Sequence, residues 1–475
     1  MFKGSSGNTL VHTMAENTPT AKTGTRLLLL TVGIAVFMSS LDITIVNISL
    51  PTIAGEFGVT PAIISWVIMG YLLVMCSFLP AFGKLGDLKG YRIIFSTGYL
   101  VFVAGSFLCG ISAGAGMLIG ARLLQGVGGS MLAALTTAIV MVALPRSERG
   151  KGLGVVAMFA SLGIALGPAL GGFITTYLSW HWIFFVNIPV GIAGFFIALR
   201  TVPENPLPEG QRFDYQGAVL IFFALLGFLL VLNQGQTLGW TSLPILAALA
   251  GAVVFSALFI RRERSLPYRL FNIGLFRVRD FSLANLASLM VMLVFSGALF
   301  LLPFYLEYVR GLPPDIAGLV LTIPSAAIFL AGPLFGALSD RIGPRVPSAF
   351  STVALAMGFI FIARPGVSGG DPLLYGGLIL VGLGVGGFIP ANSVQIMSLA
   401  PERETGSVSS MLLTLRNMGS ALGVAVFGAI LAGVVLSGIG GPLVVETTPP
   451  PLLLDAFRVA FLTGAFISVL AFITV

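Results

Sequence analysis

Charge is what this sequence has least of. Asp, Glu, Lys and Arg together make up 9% of its 475 residues, where a soluble domain carries about a quarter, so a water-soluble globule is excluded. Histidine and cysteine are nearly missing too, at two residues each. That leaves no candidates for a metal cluster or a hydrolytic triad, and neither an enzyme nor a metal or other cofactor is expected. Cys76 and Cys109 fall in apolar runs at different depths and read as small buried hydrophobes rather than a bridge. No Gly-x4-Gly-Lys-Ser/Thr phosphate loop occurs, and the G-x-G-x-x-G spacing of Gly382, Gly384 and Gly387 lies in an apolar stretch with no strand before it. ATP is therefore not the expected energy source.

What is present is apolar: 56% of the chain is hydrophobic. The apolar runs are unbroken for about twenty residues, the length a helix needs to cross ~30 Å of hydrocarbon, whereas a barrel of strands would show short alternating segments. The expected fold class is all-α and polytopic. Fourteen spans are predicted near 27–49, 62–82, 93–111, 115–142, 153–176, 181–200, 215–234, 242–260, 281–307, 315–338, 346–363, 372–398, 406–436 and 457–475. Residues 1–26 are polar, contain Lys3, Lys22 and Arg26, and read as a disordered cytoplasmic tail. The first apolar run is too long for a signal-peptide core.

The net charge of +7 would suit nucleic acid, but the basic residues sit in short loops between spans, so no nucleic-acid partner is expected. Of the 25 Lys and Arg, only Arg122 and Arg416 lie within spans, and only Arg310, Arg364 and Arg458 lie in loops on the side opposite the amino terminus. By the positive-inside rule this imbalance places both termini in the cytoplasm of a multi-pass protein of the cell membrane.

The chain also repeats itself. Gly83, Leu85, Asp87, Gly90 and Arg92 recur as Gly336, Leu338, Asp340, Gly343 and Arg345, an offset of 253 residues (336 − 83). Gly126 to Gly129 recur as Gly384 to Gly387, and Gly163 to Gly167 as Gly419 to Gly423. Residues 27–200 and 281–475 are thus two copies of a six-helix unit, and 201–280, with two further spans and linkers, is an insertion. Two parallel repeats are a transporter architecture, with the substrate route between them. The inserted spans are expected to pack outside the twelve-helix core, facing lipid, with Asn233, Gln234 and Gln236 at the outer interface where water satisfies them.

Five stretches carry a resemblance: the loop Gly83 to Arg92; Arg122 to Gly126; the Gly163, Gly167, Pro168, Gly171, Gly172 pattern; Leu41 to Pro51 around Asp42, Thr44 and Asn47; and Trp180 to Gly191 with Asn187 and Pro189. In these the chain resembles the fourteen-span drug:proton antiporters of the major facilitator superfamily, the EmrB/QacA type. It departs from that pattern at Leu88 and Tyr91, where basic residues are usual, and at His181, where arginine is common. The resemblance implies secondary active transport, with proton-coupled export of amphipathic or lipophilic compounds. Its partners would be a small-molecule substrate, protons and the bilayer, and no accessory protein is specified. The alternatives are a dedicated transporter of one metabolite, lipid or peptide on the same scaffold, or a receptor that transports nothing.

The residues have their own physical reading. Asp42 is the one acid deep in a span, where a charge costs roughly 2.5–3.5 kcal/mol. Arg122 and Asp42 each lie about seven residues, ~10 Å, below the outer surface, so their depths match. Burial favours a neutral carboxyl and a guanidinium favours the anion; the two opposed effects suit a proton carrier, while a permanent structural pair is the alternative. Asn47, Gln125, Asn392, Gln395 and Asn417 either line a cavity or bond across helices. Arg416, a further cavity candidate, needs a partner that the sequence does not identify, for a structural pairing or a role in coupling, and Glu307 at an outer span end either draws cations to the outer mouth or is merely solvated.

Gly163, Gly167, Gly171 and Gly172 form a side-chain-free face, kinked by Pro168, that admits a neighbouring helix; the resemblance implies a seal against leak. Asp87 and Asp340 follow predicted helix ends, where they are expected to cap a neighbouring helix and bind the following arginines, among Arg92, Arg341 and Arg345, as a latch on the inward side. Trp180, Trp182 and Trp240 fall at outer interfaces, where anchoring is expected.

Overall fold

Lipid offers a backbone no hydrogen-bond partner, so each apolar run must satisfy its own amides, and the helix does this within one segment. A computed structural model of the chain describes residues 19–145, 148–204, 214–266, 273–364, 372–399, 405–439 and 448–475. Among the described residues there is no strand. Fourteen helices there are long and apolar enough to cross a membrane: α1 (Arg26–Phe57), α2 (Pro61–Lys89), α3 (Tyr91–Gly110), α4 (Ala115–Ala143), α5 (Arg149–Tyr177), α6 (Trp182–Thr201), α7 (Tyr215–Gly235), α8 (Leu243–Ser265), α9 (Arg279–Val309), α10 (Pro314–Ile342), α11 (Arg345–Ile362), α12 (Pro372–Ser398), α13 (Val408–Gly438) and α14 (Pro451–Thr474).

Packing reproduces the sequence repeat. In the first bundle the main pairs are α1–α5, α3–α4, α2–α4 and α3–α6; in the second they are α9–α13, α11–α12, α10–α12 and α11–α14. Each pair of the second set is a pair of the first with both helix numbers raised by eight. The bundles meet through α5 on α10 and α2 on α13, again equivalent pairs, with a smaller contact of α1 on α9.

The face on which α1 begins is called near here, and the opposite face far. At the far face the Tyr308 hydroxyl donates to the Pro51 carbonyl (3.5 Å), and the Tyr177 hydroxyl to Asp315 Oδ2 (3.1 Å). The Asp315 amide also donates to the Thr176 hydroxyl (3.1 Å). These bonds and the α5–α10 packing close the far end of the space between the bundles.

Several expectations need correction. The first helix starts at Pro19, inside the predicted tail; proline is well placed at a helix start. Residues 1–18 lie outside the described residues. The same helix runs through Pro51 to Phe57, beyond the predicted end at 49. The inserted pair lies against the core and is largely exposed, α8 most of all, as expected of lipid-facing helices, but its polar side chains depart from expectation. α7 packs on α8 and also on both α2 and α13, and Leu225 and Leu229 meet Leu73, Cys76, Met418 and Leu422 where the two bundles join. Asn233 is buried rather than water-satisfied: its Nδ2 donates to the Ser65 hydroxyl (2.9 Å), and its Oδ1 accepts from Trp66 Nε1 (3.0 Å) and Gln234 Nε2 (2.9 Å). α2 is broken at Ser65, between Pro61–Ile64 and Trp66–Lys89, and the break turns polar groups toward α7. The side chain of Gln236 lies outside the described residues. Trp180 is buried too, donating to Glu56 Oε2 (2.7 Å), while Trp182 and Trp240 are exposed.

Candidate functional site: a buried ion pair and an unpaired arginine

α1 carries Asp42 and α4 carries Arg122 at one depth, and both side chains are buried. Arg122 Nη1 donates to Asp42 Oδ2 (2.5 Å) and to Gln125 Oε1 (2.6 Å). Gln125, one turn further along α4, donates through Nε2 to Asp42 Oδ1 (2.8 Å) and to the Ser106 hydroxyl of α3 (2.7 Å). Asn187 Nδ2 reaches Asp42 Oδ1 from α6 (3.2 Å). The carboxylate therefore accepts from three side chains on two neighbouring helices, which compensates much of the cost of burying it.

The guanidinium is held independently of Asp42. Its Nε donates to the Val67 carbonyl of α2 (2.9 Å), and its Cζ lies 4.4 Å from the centroid of the Tyr71 ring and 5.9 Å from that of Phe184. A proton arriving on Asp42 would cancel the ion pair and leave Arg122 with Val67, Gln125 and two ring faces. Three helices of the first bundle, α1, α4 and α6, thus meet at one carboxylate, and α2 and α3 join through Val67 on Arg122 and Ser106 on Gln125.

The glycine face explains how α5 comes so close to this centre. A Cβ on Gly163 would lie 2.6 Å from the Phe37 carbonyl of α1; Gly167 packs on the Thr44 side chain and Gly171 on Ile48 and Ile45. Gly172 points elsewhere, against the Pro314 backbone of α10, while Gly318 of α10 sits against the Pro168 carbonyl. One stripe of small residues therefore serves two contacts, α5 with α1 inside the bundle and α5 with α10 across it.

Other candidates do not join the ion pair. Asn47 Nδ2 bonds the Ile43 carbonyl of its own helix (2.9 Å) and its buried Oδ1 has no partner. Arg416 lies in the second bundle, where its Nε donates to the Ser288 hydroxyl of α9 (3.2 Å) and its Nη2 to the Ile389 carbonyl (3.1 Å) and Ser393 hydroxyl (2.9 Å) of α12. Asn392 Nδ2 donates to the Ala284 carbonyl (2.9 Å), while Gln395 Oε1 and Asn417 Nδ2 are buried without partners. Glu307, expected to be solvated, sits in a π-helical turn (Tyr305–Val309) with Oε1 buried and unpartnered.

The predicted latch takes another form. α2 and α10 continue through Lys89 and Ile342, so Asp87 and Asp340 fall inside the last helical turn rather than after it. Asp87 accepts from the Tyr91 hydroxyl (2.8 Å), and Asp340 and Arg341 are exposed. Arg92 instead bonds the Val202 carbonyl (2.8 Å) and Glu204 (2.7 Å), and Arg345 bonds Asp280 (2.9 Å). Each arginine is pinned within its own half of the chain. Gly90 (φ 100°) and Gly343 (φ 84°) supply the left-handed turns after these helices, while Gly83 faces open space.

Tyr71, Ser106, Asn187, Ser288 and Ser393 were not singled out as site residues from the sequence. A serine in an apolar helix usually bonds its own backbone and gives no signal; Asn187, a polar residue within a predicted span, could have been found.

The description of the Major Facilitator Superfamily matches residues 32–424 and, a second time, 284–475. The chain belongs to the major facilitator superfamily. This superfamily member is 34% identical over 415 residues to the riboflavin transporter RibZ of Clostridioides difficile (strain 630), covering 86% of this chain and 88% of RibZ. It is 32% identical over 427 residues to the multidrug resistance protein Stp of Mycobacterium tuberculosis (strain ATCC 25618 / H37Rv), covering 90% and 79%. A solved bacterial homologue of the human lysosomal transporter Spinster superposes with a TM-score of 0.67 over 95% of this chain and 96% of that one, at 16% identity, a likeness of fold alone. The superfamily member described here is a multi-pass membrane transporter and not an enzyme.

Proposed function

We propose that this transporter is a proton-coupled antiporter that exports amphipathic or lipophilic compounds, with its near face and both termini in the cytoplasm. The observation that carries the reading is the buried Asp42–Arg122 pair with Gln125 and Asn187 around it. Protonation of Asp42 discharges the tie between α1 and α4 and deprotonation restores it, which supplies two states of different helix packing for cargo and proton to select between. Each proton moving inward contributes about 2.3 kcal/mol per 100 mV, and no cofactor is required. A far face closed by α5 and α10 supports a route reached from the near face in this state. The similarity to Stp, a protein named for multidrug resistance, agrees with export.

Substrate-driven proton flux in proteoliposomes tests the proposal. Asp42→Asn keeps the shape and most of the hydrogen bonds and is expected to abolish that flux with the fold intact; undiminished flux removes Asp42 from the mechanism. The similarity to RibZ supports a second reading, a dedicated carrier of one metabolite. Uptake or efflux confined to a single compound in a broad panel would favour it.

A further inference from the structure

Charge deep in the membrane does not balance across the two bundles. Asp42 neutralises Arg122, but among the described residues no carboxylate lies within ion-pair distance of Arg416, and nothing accepts a hydrogen bond from its Nη1. Arg416 stands ~16 Å along its helix from Thr405, well inside the span. The cost of placing a guanidinium there is offset only by two hydroxyls and one carbonyl.

The surroundings share this incompleteness. On α9, α12 and α13, the helices that Arg416 joins, Asn285 Oδ1, Asn392 Oδ1, Gln395 Oε1, Thr414 Oγ1 and Asn417 Nδ2 are buried with no hydrogen-bond partner. Asn285, Asn392 and Gln395 are each more than nine-tenths buried. Native interiors leave few such atoms, and a cluster of them marks a place where something else completes the bonding. α9 and α13 border the first bundle, through α1 and α2, whereas α12 is not among the helices packed on it. Two of the three helices that carry the cluster therefore border the first bundle, and the Arg416 and Asn417 side chains are only partly covered.

We propose that the Arg416 cluster of the second bundle is a cargo-binding subsite for an oxyanion, a carboxylate or phosphate carried on an amphipathic molecule. The two free Nη1 protons and Asn417 Nδ2 donate to the anion, and the unpartnered amide oxygens accept from N–H or O–H groups beside it. A fixed positive charge facing the route also opposes lipophilic cations, so the preferred cargo is acidic. The assignment deepens the exporter reading and rests on it.

The test uses two xanthene dyes of similar shape, fluorescein, which carries a carboxylate, and rhodamine 123, a cation whose carboxyl is esterified. Anisotropy titration of the purified full-length protein in detergent is expected to give fluorescein the tighter binding. Arg416→Gln is expected to weaken fluorescein about tenfold or more, the scale of one lost charge-assisted hydrogen bond, and to leave rhodamine 123 within about twofold. Arg416→Lys should regain part of the loss, and Asn417→Leu, which keeps the charge, serves if Arg416→Gln does not fold; it should weaken fluorescein and spare rhodamine 123. Equal losses for both dyes, tighter binding of the cation, or no binding of fluorescein overturns the subsite. Dye efflux from proteoliposomes separates this from the exporter reading. Proton-driven efflux of rhodamine 123 without an anion preference sinks the subsite alone, whereas Arg416-dependent binding with no proton-driven efflux sinks the exporter reading alone.

Discussion

Arg122 in the first bundle and Arg416 in the second are both held within the membrane span, yet among the described residues only the first has a carboxylate against it. Arg122 is caged by Asp42, Gln125, the Val67 carbonyl and the Tyr71 ring; Arg416 has hydroxyls, one carbonyl and unpaired donors. The two bundles repeat one unit and pack alike, but position 416 has no arginine counterpart in the first copy, where the local offset of 256 (419 − 163) falls on Ala160. A shared scaffold carries unshared charges: one half holds a buried ion pair, the other, among the described residues, a cation without a counter-charge.

The largest expected effect comes from breaking the caged side. Arg122→Ala leaves a buried carboxylate unpaired and is expected to cost about 3–5 kcal/mol of stability, read as a lower melting temperature of the purified protein. Adding Asp42→Asn should recover much of that loss, the non-additivity expected of a contacting pair. Arg416→Met removes a charge that has no partner to strand, so its cost should be near 1–2 kcal/mol or of opposite sign. Equal costs at the two arginines would show that Arg416 has a hidden counter-charge.

Next in size is the comparison within α5. Gly171→Ala presses on α1 inside one bundle, and Gly172→Ala presses on the Pro314 backbone across the two. Overpacking costs about 1–3 kcal/mol, and the two costs should appear differently. Gly171→Ala is expected to lower the melting temperature. Gly172→Ala is expected mainly to open the far end of the route, seen as faster alkylation of a cysteine placed at Thr176. Equal alkylation in both variants would put the seal somewhere other than the α5–α10 contact.

The smallest effect belongs to the repeated loops. Arg92 with Glu204 and Arg345 with Asp280 are exposed pairs, with Glu204 79% and Arg345 66% accessible, and solvent screening limits such pairs to about 0–1 kcal/mol. Arg92→Ala should cost somewhat more than Arg345→Ala, because Arg92 also bonds the Val202 carbonyl. A large loss of transport from either variant without loss of stability would show that these arginines act in a state other than the one described.

Helix number, the repeat and the inserted pair were legible in the sequence, because lipid imposes a length and a polarity on every span and the repeat leaves glycine and charge at fixed offsets. The shared depth of Asp42 and Arg122 was legible for the same reason, since depth is only a count of residues along a helix. Rotation about the helix axis is not such a count. Which face of α4 turns Gln125 onto Asp42, that Asn187 arrives from α6, that Gly172 looks away from Gly171 toward α10, and that α7 lies over the joint between the bundles with Asn233 on Ser65 were all decided by tertiary packing. The charges followed the same division: the presence of Arg416 within a span could be read from residues in order, but that its neighbours would be hydroxyls and unpaired amides rather than a carboxylate depended on which helices close around it.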